Sequence, residues 1–325
     1  MPQMYKPANY PVFRQALISA LFLLPLAMGV WLVLGNEGED LSTTNTLTIE
    51  PLPQNITPEV LDTEMIEIEA SAAMVYDVRT DTVLFAKNET DVHSLASITK
   101  LMTALLVTEL IDTHDTVITV SEAAVRQYGE SGLRIGERVS ADNLNQYSLL
   151  SSSNDAAYAL AYSIGEDLFT GEGAKAFVDA MNVRAKELGL NDTVFQNPTG
   201  LDISTVESGA LGTAKDVTTL MTFIVLNHDE LIASTRSPEE LIFNEQGEFH
   251  RAANTNPLVD AIPNLLGSKT GFTDLAGGNL VIAFDAGFNR PIVITVLDSS
   301  WSGRFSDVQT LVDATISHLG NDLTE

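Results

Sequence analysis

Ser94-Leu95-Ala96-Ser97-Ile98-Thr99-Lys100-Leu101-Met102-Thr103-Ala104-Leu105 places a serine and a lysine three residues apart at the opening of an apolar helical pattern. Three residues is nearly one helical turn, so the two side chains share a face. A serine hydroxyl is a poor nucleophile until a base takes its proton, and a lysine amine serves as that base when burial or nearby cations keep it neutral. Backbone N–H groups at a helix N-terminus add a place for developing negative charge. Alone, the same spacing also describes a helix cap followed by a solvated lysine, so the chemistry depends on what else the chain supplies.

Two further stretches supply it. Ser152-Ser153-Asn154 stands before a helical pattern at Asp155–Ile164. A hydroxyl and an amide two residues apart in a loop can face one cleft, although Ser and Asn are also the usual helix N-caps. Lys269-Thr270-Gly271 stands near the end of an apolar strand. There a lysine gives positive potential, a threonine hydroxyl binds an anion, and a glycine lets a ligand approach the backbone.

The elements around these stretches define a fold class. Strand patterns occur at Ala72–Asp77 and Thr82–Ala86, then again at Leu266–Gly271, Gly278–Asp285 and Pro291–Leu297. Between them lie helical patterns at Ser97–Leu110, Ser121–Tyr128, Ala141–Leu150, Asp155–Ile164, Gly173–Leu188 and Ala214–Asn227, and a last helix runs over about Arg304–Leu319. Strands at both ends with helices between predict one α+β domain over residues 70–320, its sheet joining the first hairpin to the last strands. Residues 321–325 form a short tail.

Lys plus Arg total 17 against 44 Asp plus Glu, a net charge of −27, which argues against nucleic-acid binding because phosphate contacts need a basic face. The chain has no cysteine, which excludes disulfides, thiolate nucleophiles and Cys-ligated metals. Its histidines, His93, His114, His228, His250 and His318, form no ligand-spaced cluster, so no metal or other cofactor is expected.

Lys6 and Arg14 precede an apolar run from Ala16 to Leu34, and Glu37, Glu39 and Asp40 follow it. Nineteen helical residues span roughly 28 Å, about the thickness of the hydrocarbon layer. The charge asymmetry puts residues 1–15 in the cytoplasm, a single-pass anchor at 16–35 and the remainder outside; a cleaved signal peptide is the rival reading. Residues 36–69, acidic and broken by Pro51, Pro53 and Pro58, read as an extracytoplasmic linker.

Ser97-x-x-Lys100, Ser152-x-Asn154 and Lys269-Thr270-Gly271 resemble, in order, the three motifs of the penicillin-recognising acyl-serine transferases. Together with Phe195-Gln196-Asn197-Pro198-Thr199-Gly200-Leu201-Asp202 and Gly267–Thr273, they resemble the D-alanyl-D-alanine carboxypeptidases, the low-molecular-weight penicillin-binding proteins, over about residues 70–320. The resemblance implies a β-lactamase/transpeptidase-like fold, a five-stranded antiparallel sheet flanked by helices with a mainly helical subdomain. It implies that Ser97 attacks the penultimate D-alanine carbonyl of a peptidoglycan stem peptide ending in D-Ala-D-Ala, with Lys100 as base. Ser152 would relay a proton to the leaving amine, and Asn154 would orient Lys100 and the substrate. The N–H groups of Ser97 and Phe272 would form the oxyanion hole, and Lys269, Thr270, Gly271 and Thr273 would hold the substrate. Arg304, 35 residues after Lys269, stands at the family's position for a carboxylate-binding arginine. β-Lactams would be covalent inhibitors.

The chain ends about 50 residues after Gly271, leaving no room there for the second, β-rich domain of many such enzymes. The short form resembles the DD-endopeptidase branch equally well. A class A β-lactamase is another alternative, because Glu187-Leu188-Gly189-Leu190-Asn191 matches the string that activates a deacylating water there; here Glu187 reads as a helix-surface residue. A non-catalytic penicillin-binding sensor of the cell wall is the last.

Overall fold

The computed structural model describes residues 61, 66–129, 132–168 and 173–321. The cytoplasmic segment 1–15, the anchor at 16–35, most of the linker and residues 322–325 lie outside them. Among the described residues no helix is long and apolar enough to cross a membrane.

Five strands make the central sheet: β1 (Ala72–Asp77), β2 (Thr82–Lys87), β3 (Leu265–Thr273), β4 (Gly277–Asp285) and β5 (Pro291–Ser299). Their order is β3-β4-β5-β1-β2, antiparallel throughout. The first strand pairs directly with the last, Ala72 opposite Leu297 and Asp77 opposite Ile292, so the two ends of the domain close one sheet. Alternate residues of β4 serve its two faces. Val281 and Ala283 pack toward the helical subdomain, while Leu280, Ile282 and Phe284 pack toward the C-terminal helix α6 (Gly303–Asn321) through Val308, Leu311 and Val312. Apolar side chains on both faces put the sheet in the middle of this domain.

The helical subdomain is built from α1 (Lys100–Leu110), α2 (Ala141–Leu150), α3 (Asn154–Leu168), α4 (Ala174–Glu187) and α5 (Ala214–Asn227). Every residue of α1 from Lys100 to Leu106 is buried, as is Val107. A helix apolar on all sides belongs at a centre, and α1 has α2, α3, α4 and α5 around it.

Several boundaries differ from the sequence reading. The helix expected from Ser97 begins at Lys100; Ala96–Thr99 is a 3₁₀ turn instead. The helix expected over Ser121–Tyr128 is a single turn, Glu122–Val125, capped by the Ser121 hydroxyl and followed by Gly129 at φ 94°. A hairpin, Glu239–Phe243 with Phe249–Ala253, is absent from the expectation. The chain also joins the domain before residue 70. Leu61 is buried, its N–H donates to the Leu84 carbonyl, and Ile66 and Ile68 pack on the same cluster as α6. Burial of those three apolar side chains outweighs the polar, Pro-rich composition around them.

Candidate active site

Ser97 sits in the 3₁₀ turn, where residues i and i+3 eclipse. Lys100 Nζ lies 2.7 Å from Ser97 Oγ, 2.7 Å from Asn154 Oδ1 and 2.8 Å from the Thr199 carbonyl oxygen. Two of these partners only accept; the third is a hydroxyl. As an ammonium, Lys100 donates to all three oxygens; as a neutral amine it keeps N–H bonds for Asn154 and Thr199 and can turn its lone pair to the Ser97 hydroxyl. The electrostatics favour the neutral amine. Lys100 is completely buried, and burial, followed by the charge of Lys269, holds its amine well below the ordinary lysine range.

The orientation of Asn154 is fixed from behind, because its Nδ2 donates to the Tyr128 carbonyl at 2.6 Å. The Thr199 carbonyl is presented by a turn that Asn197 ties together. Asn197 Oδ1 accepts from the N–H groups of Thr199 (3.1 Å) and Gly200 (2.7 Å), and its Nδ2 donates to the Leu201 carbonyl. Asn-Pro-Thr-Gly carries this turn in the sequence, but the contribution is a backbone carbonyl and no side-chain type announces it.

Ser152 and Asn154 flank the start of α3, and the residue between them does the capping: Ser153 Oγ accepts from the Ala156 N–H at 3.1 Å. That leaves the other two side chains free for the cleft. Ser152 adopts φ 61°, and Ala96, just before the serine, φ 46°. Left-handed non-glycine residues cost about 1–3 kcal/mol and concentrate at functional sites.

Lys269, 1% exposed, donates to Ser152 Oγ (3.0 Å) and to the Thr270 carbonyl (2.9 Å). Burial and then the charge of Arg304 lower its pKa to about 7. Thr270 Oγ1 lies 2.6 Å from Thr255 Oγ1. Arg304 is only 3% exposed. It donates from Nη1 to the Gly271 carbonyl at 2.6 Å and lies against the rings of Trp301 (4.3 Å) and Phe305 (4.6 Å). Burial lowers its pKa to about 10, which leaves it charged at neutral pH, and its Nε is buried without a partner. None of the ion pairs among the described residues involves Lys100, Lys269 or Arg304. In a chain of net charge −27, Lys269 and Arg304 make a buried positive centre suited to an anionic group.

β3 is an edge strand, so alternate backbone groups face away from the sheet. The Ser268 N–H donates off the sheet to Thr235 Oγ1, and the Thr270 carbonyl accepts off the sheet from Lys269. The same parity turns the Phe272 N–H to that open side. Ser97, Ser152, Asn154, Thr270, Phe272 and Arg304 all line one cleft of about 940 Å³, with Gly271 and Thr273 beside them. Lys100 and Lys269 sit behind its wall. Thr273 Oγ1 is committed to Asp202 Oδ1 at 3.0 Å. Tyr128, Thr199, Asp202 and Thr255 are the contributors that the motif reading did not assign. Glu187 is remote from this arrangement: it ends α4, is exposed, and pairs with Arg184 at 3.1 Å.

The chain was compared with known proteins. Residues 58–300 match the profile of the D-alanyl-D-alanine carboxypeptidase family. The chain is 34% identical over 238 residues to the D-alanyl-D-alanine endopeptidase of Escherichia coli K12, covering 72% of each. It is 31% identical over 254 residues to the D-alanyl-D-alanine carboxypeptidase DacF of Bacillus subtilis 168, covering 77% of this chain and 62% of the relative. Among solved structures it resembles the ampicillin-bound penicillin-binding protein D2 of Listeria monocytogenes, with a TM-score of 0.65, 30% identity and coverage of 77% of this chain and 98% of that one.

Proposed function

This chain belongs to the D-alanyl-D-alanine carboxypeptidase family, and on that premise we propose how its own residues perform the serine-peptidase reaction. The substrate is a peptidoglycan stem peptide ending in D-Ala-D-Ala. Its terminal carboxylate is held by the Thr270 hydroxyl and by Lys269 and Arg304, two buried cations at the cleft. Its scissile carbonyl lies over Ser97, with the N–H groups of Ser97 and Phe272 donating to the oxygen.

Ser97 Oγ attacks the carbonyl carbon of the penultimate D-alanine as its proton passes to Lys100 Nζ. The tetrahedral intermediate collapses by breaking the C–N bond. The proton returns from Lys100 to the leaving nitrogen by way of Ser152, whose oxygen already accepts from Lys269 and whose O–H is therefore free to donate. D-Alanine leaves, and water hydrolyses the Ser97 ester with Lys100 again taking the proton. Removing one oxyanion donor from such a site costs roughly 10²–10³ in rate. A β-lactam carries a carboxylate and a reactive carbonyl in the same arrangement and acylates the same serine.

The observation that carries this reading is a completely buried Lys100 amine 2.7 Å from the Ser97 hydroxyl. The test is intact mass after mixing the purified chain with benzylpenicillin, beside Ser97→Ala, followed by D-alanine release from a pentapeptide. A penicilloyl adduct and release that both vanish in Ser97→Ala support it; release that persists in that variant sinks it. A second reading, DD-endopeptidase cleavage of a crosslink, is favoured by the equal coverage shared with the E. coli endopeptidase. Release of monomers from a crosslinked dimer is its assay.

Residues 16–35 are read as a membrane anchor that holds the domain on the outer side of the cell membrane, on the strength of Lys6 and Arg14 before the apolar run and acidic residues after it. Fractionation checks this. Deleting residues 1–35 moves the protein from the membrane to the soluble fraction, whereas full-length protein found soluble would overturn it.

A further inference from the structure

Arg304 stands in the first turn of α6, and three aromatic rings surround its guanidinium. Its Cζ lies 4.3 Å from the centre of the Trp301 ring, 4.6 Å from Phe305 and 5.9 Å from Phe272. Trp301 and Phe272 also meet edge to face, their centres 4.6 Å apart. Trp301 precedes Arg304 by three residues, in a turn held by bonds of its own. The Gly303 N–H donates to Ser300 Oγ at 2.9 Å, and the Arg304 N–H donates to the Ser300 carbonyl at 3.3 Å.

All three rings line the cleft, but they differ in exposure. Phe305 is partly buried, whereas Phe272 is 41% exposed and Trp301 60%. A tryptophan left so open gains little from its own burial. What it covers is the guanidinium: Arg304 is nearly inaccessible although it too lines the cleft. One hydrogen bond, Nη1 to the Gly271 carbonyl, fixes a single tip of the fork, and Nε is buried without a partner. The remaining restraint on the side chain comes from the rings.

We propose that Trp301 is a positioning residue for Arg304: its ring holds the guanidinium in the cleft wall, keeps water from it, and so sets how strongly the enzyme favours a charged substrate terminus over a neutral one. This rests on the DD-peptidase reading above. Two effects carry it. A free arginine side chain has many rotamers, and a ring packed against the planar group removes most of them before the substrate arrives. The pull between guanidinium and carboxylate also strengthens as water is excluded. A neutral amide terminus draws little from either effect, so the ring discriminates between the two.

The experiment measures cleavage of acetyl-Ala-D-Ala-D-Ala and of its C-terminal amide by the full chain, and takes the ratio of the two kcat/KM values. In Trp301→Ala the acid-to-amide ratio falls about five- to tenfold, mainly through KM for the acid. Trp301→Phe, which returns a ring, restores most of it. An unchanged ratio in Trp301→Ala, with both substrates slowed alike, overturns the proposal. A second readout needs no turnover. The chain has two tryptophans, Trp31 and Trp301, so in the full-length Trp31→Phe/Ser97→Ala variant the emission comes from Trp301 alone. The acid peptide shifts that emission on binding, and the amide shifts it less. Emission indifferent to the acid peptide, at concentrations where calorimetry shows it bound, also overturns the proposal. Cleavage of neither peptide by the unsubstituted chain would defeat the DD-peptidase reading, and the emission would then still decide whether Trp301 serves a carboxylate site.

Discussion

A Cβ on Gly200 would fall 1.8 Å from the Ala96 carbonyl oxygen, so the loop that presents Thr199 to Lys100 is in van der Waals contact with the backbone that carries Ser97. Gly200 also has φ 78°, a conformation that side chains resist. Gly200→Ala therefore meets both a clash and left-handed strain. The expected outcome is a loss of about 2–4 kcal/mol of stability. Because a shift near 1 Å costs on the order of 10²-fold in a positioned reaction, penicillin acylation of the remaining folded protein slows by at least that factor. Thermal melting and stopped-flow acylation measure the two effects separately.

The two lysines set opposite limbs of the pH profile. Lys100 must be neutral to accept the serine proton, and its depressed pKa makes it so well below the ordinary lysine range. Lys269 must be charged to hold a carboxylate, and in the free enzyme it loses its proton through about pH 7. For a substrate with a free terminal carboxylate, kcat/KM accordingly falls as pH rises past about 7, since that ratio reports the free enzyme. The kcat limb lies higher, because the bound carboxylate favours the ammonium. Amidating the substrate carboxylate removes the high-pH fall, and Lys269→Arg moves it upward. A profile identical for acid and amide would contradict the assignment.

Lys269 is also a cost to folding. Its pKa is about 7 when folded, against 10.5 for the ordinary side chain. Between those values the unfolded state binds more protons, so this group makes stability rise with pH across that window and depresses it fully below. Lys269→Met keeps the stem and drops the charge. It abolishes D-alanine release while raising Tm by roughly 3–8 °C at pH 6, with the difference shrinking toward pH 10.

Glu137 tests the outer support of the domain. It is buried; burial would raise its pKa, but hydrogen bonds from His250 (2.6 Å), Asn244 (2.9 Å) and the Arg134 N–H (3.0 Å) hold it below the usual carboxylate value. A carboxylate with a lowered folded pKa gives stability that is present above its unfolded pKa and lost as pH falls through the folded one. Glu137→Ala strands three donors and costs about 2–4 kcal/mol at pH 7. The difference between denaturant melts of the variant and the native chain narrows as pH falls through the lowered folded pKa of Glu137.

Ser97, Lys100, Ser152, Asn154 and Lys269 were legible in the sequence because each contributes through its side-chain chemistry and keeps a fixed spacing from a partner or an element start. Thr199 was not, although its carbonyl completes the Lys100 site, since every residue type carries the same carbonyl; the readable trace was Pro198-Thr199-Gly200, a turn needing positive φ. Arg304 could be placed only by its distance from Lys269, and its burial against Trp301 and Phe305 is a tertiary fact. The hairpin Glu239–Phe243 with Phe249–Ala253 escaped because its outward face carries Leu241, Phe243 and Phe249, exposed, while only Ile242 and Ala252 are buried inward, which scrambles the polar alternation of an ordinary surface strand. Leu61 was hidden for the opposite reason, one buried anchor within an acidic stretch. β4 and β5 were found because both faces are buried and their sequences are nearly continuously apolar.

The pairing of Ala72 with Leu297 means that nothing resembling a working enzyme exists on a partly made chain. The nucleophile leaves the ribosome early, but the strand that supports the sheet beneath it and the helix that carries Arg304 emerge about 200 residues later. Contacts so distant in sequence form slowly. A nascent polypeptide therefore holds a serine that is already present and chemically inert. Reactivity toward β-lactams appears only when the final helix docks, so the rate at which a penicillin label becomes incorporated during refolding is a direct clock for the closing of the sheet.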